Sequence, residues 1–494
     1  MGGMITDLAT LLTPKEMADA DAAAAASGID SYGLMEQAGR AVAAAALRLY
    51  PQTCRFVVLC GPGNNGGDGY VAARALAEGG ARVQIFVLDV AFEPAGDAGI
   101  ARRACPLPAL PLSDLSLQAG DTIIDAVFGA GLARDVPTDL REVIAAVEAS
   151  GLPVIAVDLP SGLCGRRGIP LGGAFPASHT VTFMARKPGH LLMPGRSLCG
   201  DVEVVDIGIP WRIVRNAGGA LRVNQPSLWR HLLPKPDSGS HKYRRGHLIV
   251  FSGGASHTGA ARLSAEAGLA SGAGLVTVAS PPDAMGTNAG HLTAVMLREV
   301  KNPDEIGEWL ASGKLSAFVL GPGFGVGAKA RDFVLALDGH PLVLDADGIT
   351  SFRDCPDLLF DAYRGETRLV LTPHEGEFAR LFPDIGDAFE LSKVEKAVAA
   401  AQRSNAVVVY KGADTVIAAP DGRAAVNENA PPWLATAGSG DVLAGMIGAL
   451  LANGMPAFEA AAAGVYLHGE AALRAGEGMT AEALVHAIRP LDAD

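Results

Sequence analysis

The sequence predicts two α/β domains in tandem, each a mostly parallel sheet with helices on both faces. Three observations lead there. The chain is 494 residues long, enough for two large domains that each bury a core. Short β-rich runs alternate with helical stretches, first from residue 56 and again from 247. Between them the rhythm breaks at Pro210, Trp211 and the segment 216–219, and a proline-rich stretch over 233–237 with a polar run over 238–245 starts a new unit. The boundary is placed near 215–235, giving domains over 1–220 and 230–494.

The elements follow in order. Thr13-Pro14-Lys15-Glu16 reads as an N-cap followed by proline in the first turn of an alanine-rich helix, and a second helix runs over 34–49. Buried strands are expected over 56–60, 83–88, 122–128, 154–158 and 180–184, with a helix over 70–77. In the second half, strands are expected over 247–251, 275–279, 317–320, 342–345, 369–372 and 406–410. The apolar stretch 442–452 follows a glycine turn and is too short to span a bilayer, so it reads as a buried helix.

Composition narrows the function. Hydrophobic residues make up 49% and charged residues 19%, an ordinary globular composition without a membrane-spanning segment. A net charge of −13 argues against a nucleic-acid partner. The 61 glycines exceed the usual share and point to close backbone approaches, as in phosphate-binding loops. Cys54, Cys60, Cys105, Cys164, Cys199 and Cys355 are scattered without a CxxC pair. With acidic Asp7 and no basic start before an apolar run, no secretory signal is visible, so a cytoplasmic protein is expected.

Two constellations carry chemistry. In the first half, Gly61-Pro62-Gly63-Asn64-Asn65-Gly66-Gly67-Asp68-Gly69 follows a strand and opens a helix. It is neither a Walker loop nor a dinucleotide fingerprint. Its amides and carboxylate supply oxygen ligands and directed hydrogen bonds that a plain turn would not need. Asp125 and Asp158 sit at two further strand ends, the latter in Val157-Asp158-Leu159-Pro160-Ser161-Gly162. Ligands of open α/β sheets bind beyond the carboxyl ends of the strands, so these loops converge on one candidate site. A lone strand-end aspartate is more often a cap; several in successive loops favour a site. In the second half, Thr436-Ala437-Gly438-Ser439-Gly440-Asp441 precedes the 442–451 helix, with N–H groups for an anion and a carboxylate beside them. That arrangement suits phosphoryl transfer with Asp441 as proton acceptor, or a simple aspartate cap. Ser252-Gly253-Gly254, the glycine turn 321–325, Asp345-Ala346-Asp347, His374 and Lys411-Gly412-Ala413-Asp414-Thr415 close other strands.

The run Leu34 to Arg40, the 61–69 loop, Asp125 and the Asp158–Gly162 turn resemble the NAD(P)H-hydrate epimerase family (YjeF N-terminal domain) over about 10–215. The resemblance implies a Rossmann-like domain and substrate contacts at Asn64, Asn65, Gly66, Gly67 and Asp68. Further contacts fall at Gly129, Ala130, Gly131, Leu132, Ala133, Arg134 and Asp135, and at Asp158, which takes part in proton transfer. It also implies a potassium ion on Asn65, Asp125 and Ser161. From 230 to 490 the motifs resemble the ADP-dependent NAD(P)H-hydrate dehydratase family, relatives of ribokinase-like kinases with an α/β/α fold. Implied there are substrate contacts at Ala260, Gly323, His374 and Asp441, nucleotide contacts at Lys411, Gly412, Ala413, Asp414, Thr415 and Gly440, and Mg²⁺ accompanying ADP. Together these imply a bifunctional repair activity. R and S hydrates of NADH and NADPH (NADHX and NADPHX) would be interconverted, and the S form dehydrated at the expense of ADP, with AMP and phosphate released. A homo-oligomer is expected. Two other readings stay open: a ribokinase-like small-molecule kinase fused to a binding domain, and a non-catalytic binding scaffold.

Overall fold

In the computed structural model, residues 9–233 and 245–489 are described. Asp7 and most of the expected polar linker, 234–244, lie outside them. The chain divides into two units, 1–221 and 222–494.

The first unit holds seven strands: β1 (Arg55–Cys60), β2 (Val83–Val87), β3 (Ala109–Pro111), β4 (Asp121–Ala126), β5 (Val154–Val157), β6 (His179–Phe183) and β7 (Asp201–Val205). They form one parallel sheet in the order β3-β2-β1-β4-β5-β6-β7. The order reverses at β1, so the crevice beyond the ends of β1 and β4 is a topological switch point. β1, β4 and β5 are buried along their whole length, as a sheet covered on both faces requires. The helices Pro14–Ala26 and Ser31–Leu49 precede the sheet; the former opens with a capping box between Thr13 and Glu16.

The second unit contains β8 (Leu221–Val223), β9 (His247–Phe251), β10 (Leu275–Ser280), β11 (Met296–Glu299), β12 (Ala317–Leu320), β13 (Leu342–Leu344), β14 (Leu369–Leu371), β15 (Val407–Tyr410), β16 (Val416–Ala418) and β17 (Ala424–Val426). The order is β11-β10-β9-β12-β13-β14-β15-β16-β17-β8. Pairing is parallel from β11 to β15; β16 and β17 then fold back antiparallel. The helices Ser439–Ala452 and Ala457–Ala475 pack into this core, and every residue from 442 to 452 is buried.

Two expectations are revised. The helix expected over 70–77 starts at Asn64, so the asparagine–glycine segment forms its first turns. Glycine permits this: a Cβ on Gly66 would fall 1.9 Å from the Gly61 carbonyl oxygen, and one on Gly69 2.6 Å from the Ala126 side chain. The second unit begins at Arg222, ahead of the expected 230, because β8 pairs at the edge of its sheet. There the buried Asn224 side chain donates to Asn427 and to the Ala462 carbonyl, and accepts from the indole of the buried Trp229.

Candidate active sites

In the first unit a cavity of about 730 Å³ opens beyond the carboxyl ends of β1, β4, β5 and β6. Asn64, Asn65, Asp68, the 129–134 stretch and Asp158 all line it. Gly66 and Gly67 are buried behind it, and Asp135 follows it in the same loop.

Asp158 ends β5 with a φ of +64°, a conformation that L side chains seldom adopt and that here turns its carboxylate toward the cavity. Its Oδ1 accepts from Lys187 Nζ at 2.5 Å and from Thr182 Oγ1 at 2.9 Å, and Oδ2 accepts from the Ala130 N–H at 3.0 Å. Burial pushes its pKa up, but the Lys187 ammonium and these donors outweigh burial and hold the carboxyl below its usual range. His190 fixes the backbone: Nδ1 accepts from the Lys187 N–H at 2.9 Å, which leaves Nε2–H to donate to the Asp158 carbonyl at 2.8 Å. Burial pushes His190 down to about 4, so it stays neutral.

Lys187, Thr182 and His190 were not among the residues singled out from the sequence. All three come from β6 and the loop after it, which carry no glycine motif. A lysine at a strand end reads as a surface residue until its 1% exposure is known.

The expected potassium ligands are partly brought together. Asp125 is fully buried, accepting from Ser161 Oγ at 2.5 Å, the Ser161 N–H at 2.6 Å and the Val127 N–H at 3.3 Å. Ser161 Oγ in turn accepts from the Phe128 N–H at 2.7 Å. Burial pushes Asp125 up to about 6 although these donors pull it down. Asn65 belongs to the first turn of the Asn64–Glu78 helix. Its Oδ1 would lie 2.9 Å from a Cβ on Gly129, while its Nδ2 is buried without a hydrogen-bond partner among the described residues. Oxygen and nitrogen of an amide exchange by a simple flip. Flipped, Asn65 presents an oxygen where an orphan donor stands. A buried carboxylate with no cationic side chain, a hydroxyl and such an oxygen fit a monovalent cation.

In the second unit the candidate residues lie beyond the carboxyl ends of β9 and β12–β15 and at the start of the Ser439–Ala452 helix. Gly438, with a φ of +86°, turns the chain into that helix. Asp441 sits in its first turn, and its carbonyl accepts from Ser264 Oγ at 2.7 Å. Ser264 lies one turn beyond Ala260 on the helix Gly259–Ala270, so Ala260 and Asp441 are on neighbouring elements. A Cβ on Gly323, whose φ is +65°, would lie 3.5 Å from that of Ala260. Burial and the Asp345 carboxylate push Asp441 up to about 6, against the pull of Lys411.

Lys411 Nζ bonds Asp345 Oδ1 at 2.7 Å. Burial lowers its pKa, but Asp345, Glu377 and Asp441 outweigh burial and keep it a cation. The Lys411 ammonium and Asp345 Oδ2 lie 3.5 and 3.8 Å from where a Cβ on Gly440 would be, so bare backbone faces an ammonium at a helix start. The 411–415 loop closes on itself. The Gly412 N–H donates to Thr415 Oγ1 at 3.2 Å, and Lys393 Nζ holds Asp414 Oδ1 at 2.5 Å. A Cβ on Gly412 would fall 2.5 Å from Lys393 Nζ, so a side chain there would push the lysine from its place beside Asp414. Asp345 and Lys393 complete the set beyond the residues first assigned.

His374 is the N-cap of the helix Glu375–Leu381: Nδ1 accepts from the N–H groups of Gly376 and Glu377 at 3.0 and 3.3 Å. That leaves Nε2, 3.2 Å from Glu377 Oε1, as the protonated nitrogen. Among the described residues no group of three or more His, Cys, Asp or Glu could hold a metal ion.

Comparison with known proteins follows this division. The NAD(P)H-hydrate dehydratase family matches residues 248–490, and the family described as YjeF-related protein N-terminus matches 31–189. A bifunctional NAD(P)H-hydrate repair enzyme of Thermofilum pendens is 36% identical over 94% of both chains. One of Moorella thermoacetica is 35% identical over 93% of this chain and 91% of its own, and that of Escherichia coli 31% identical over 90% and 85%. A solved ribokinase-like superfamily protein of Enterococcus faecalis, 25% identical, covers 55% of this chain and 94% of its own with a TM-score of 0.48. On the strength of the end-to-end likeness, this chain belongs to the family of bifunctional NAD(P)H-hydrate repair enzymes.

Proposed function

We propose that the first unit interconverts the R and S hydrates of NADH and NADPH, and that the second dehydrates the S hydrate with ADP, releasing AMP and phosphate. The observation that carries this reading is that one chain, matched end to end by the repair enzymes, keeps an ionised Asp158 in a nucleotide-sized cavity and an Asp441 beside a cationic Lys411.

In the second unit, Asp441 accepts the proton of the hydrate hydroxyl as it attacks the terminal phosphoryl group of ADP. Lys411 faces the charge on the phosphates, and the 411–415 loop with Gly440 holds the nucleotide. Ala260, Gly323 and His374 border the hydrate; His374, with Nδ1 occupied by its cap bonds, orients rather than accepts a proton. Phosphate then leaves where hydroxide would not. Mg²⁺ accompanying the ADP would supply further positive charge at its phosphates.

In the first unit, residues 64–68, 129–135 and Asp158 hold the hydrate. Asn65, Asp125 and Ser161 would hold potassium, which supplies positive charge against the buried Asp125. We also propose a cytoplasmic homo-oligomer, to be checked by light scattering of the purified protein. The activity test incubates the protein with NADHX, with and without ADP, and follows the NADH absorbance band. ADP-dependent recovery of NADH from both epimers is expected. Phosphorylation without NADH recovery would favour a small-molecule kinase, and binding without turnover a scaffold.

A further inference from the structure

Asp68 projects from the second turn of the helix Asn64–Glu78 and lines the same cavity as Asp158. The two carboxyl groups differ in what holds them. Asp158 is tied by Lys187, Thr182 and the Ala130 N–H, whereas the Asp68 carboxyl has no hydrogen bond or ion pair among the described residues. The charged groups facing this space are Asp21 from the helix Pro14–Ala26, Asp97 from the helix Gly96–Ala104, Arg134, Asp158 and Lys187. The one ammonium among them is committed to Asp158.

Hydration of a dihydronicotinamide, an enamine, puts the hydroxyl on the ring carbon next to nitrogen. Inverting that carbon requires a bond to it to break, and breaking C–O needs a proton on the departing oxygen. We propose that Asp68 is the proton donor for this step, with Asp158 the fixed anion that faces the cation formed. The inference rests on reading the first unit as the epimerase site.

Asp68 gives its proton to the hydroxyl while the nitrogen lone pair forms the C=N bond. Water leaves, Asp68 becomes a carboxylate, and the reacting carbon becomes the planar centre of an iminium cation. A second water adds to the opposite face, the electron pair returns to nitrogen, and the added water loses a proton to solvent. Solvent returns one proton to Asp68. The carbon is inverted, its oxygen has been replaced, and protons balance. Burial, then Asp158 and Asp21, push the Asp68 carboxyl well above its usual range, so it carries the proton this role requires, while Asp158 does not. Two carboxyls driven apart by their surroundings divide acid and anion roles between them.

The test uses the full chain without ADP and follows conversion of purified R hydrate by chromatography. Asp68→Asn should lower kcat by about 10²–10⁴-fold with KM nearly unchanged, since it keeps shape and polarity but gives up the acid. The wild-type rate should fall as pH rises through the pKa of the acid, and Asp68→Glu should restore part of the activity with that fall displaced. In ¹⁸O-labelled water the inverted epimer should carry solvent oxygen. A near wild-type kcat in Asp68→Asn, a rise in KM alone, equal loss in Asp68→Glu, or an inverted product keeping its original oxygen would each overturn the proposal. A wild-type chain that converts no hydrate would instead overturn the epimerase reading itself.

Discussion

At the scale of single residues, environment separates carboxylates that look alike in the sequence. Asp441 is pushed up to about 6 by burial and by Asp345, so as a base it is ionised at neutral pH and lost below that value. NADH recovery with ADP should therefore fall about tenfold per pH unit below about 6. Asp441→Asn should remove about 10²–10⁴-fold of that rate while ADP binding, followed by calorimetry, survives. The folded pKa lies above the unfolded value, so ionised Asp441 costs stability at pH 7, and the same variant should raise the second unit's melting temperature. Asp158 is the opposite case. Its folded pKa is depressed, so its stabilising contribution is present above the unfolded pKa and lost as pH falls through the folded one. Lys187→Met should cost about 3–5 kcal/mol at neutral pH by leaving that carboxylate buried alone. Without the lysine, burial raises the Asp158 pKa, so the deficit should shrink as pH falls in a titration followed by circular dichroism. Asp158 and Asp441 were legible because a strand end and a glycine turn mark them. Lys187 was not, since only the fold brings it across 29 positions to Asp158.

At the scale of elements, the alternation of apolar runs and turns located the central strands, because strands buried on both faces leave a continuous hydrophobic run. What it missed has physical causes. β3, β8, β16 and β17 are three residues each and lie at or toward the sheet edges, whereas the equally short β13 and β14 are central, and the side chains of β7 and β11 are at most partly buried. The start of the Asn64–Glu78 helix was also illegible, since two asparagines and three glycines argue for a loop by propensity alone. Tertiary contact overrides that preference: the glycines let the helix rest on the strand ends where no Cβ fits. The Ser439–Ala452 helix uses the same device. A Cβ on Gly445 would fall 2.0 Å from the Ser264 carbonyl oxygen. Ser264 also holds the Asp441 carbonyl, so Gly445→Ala should force the two helices apart and shift the proposed base. The expected outcome is a loss of about 1–3 kcal/mol in denaturant unfolding of the second unit and a reduced kcat for dehydration, with epimerisation unchanged. Unaltered dehydration kinetics would show that the helix contact does not set the position of Asp441.

At the scale of the whole molecule, each unit has its own sheet, its own cores and its own candidate site, so the division of labour can be tested by cutting. Where the cut falls decides the outcome. The proline-rich stretch suggested a second domain starting at 230, but β8 and Trp229 lie before that point and belong to the second sheet and its core. Trp229 is fully buried, its ring centroid is 5.6 Å from that of Tyr466, and its indole N–H reaches Asn224. A fragment of residues 221–494 retains all of this. A fragment of 230–494 loses the edge strand, the Asn224 bonds and the packing of a buried tryptophan, a loss on the order of 3–5 kcal/mol for the ring alone. Residues 1–220 should fold and epimerise without the rest, and 221–494 should recover NADH from the S hydrate with ADP. The 230–494 fragment should unfold at a lower denaturant concentration than 221–494 or fail to accumulate as soluble protein. Mixing 1–220 with 221–494 should restore ADP-dependent turnover of both epimers, since the R form need only diffuse from one active site to the other. If 1–220 is unfolded under every condition while the intact chain is active, the first unit depends on the second for its fold. If 230–494 is as stable as 221–494, β8 and Trp229 are ornaments of the second core rather than part of it.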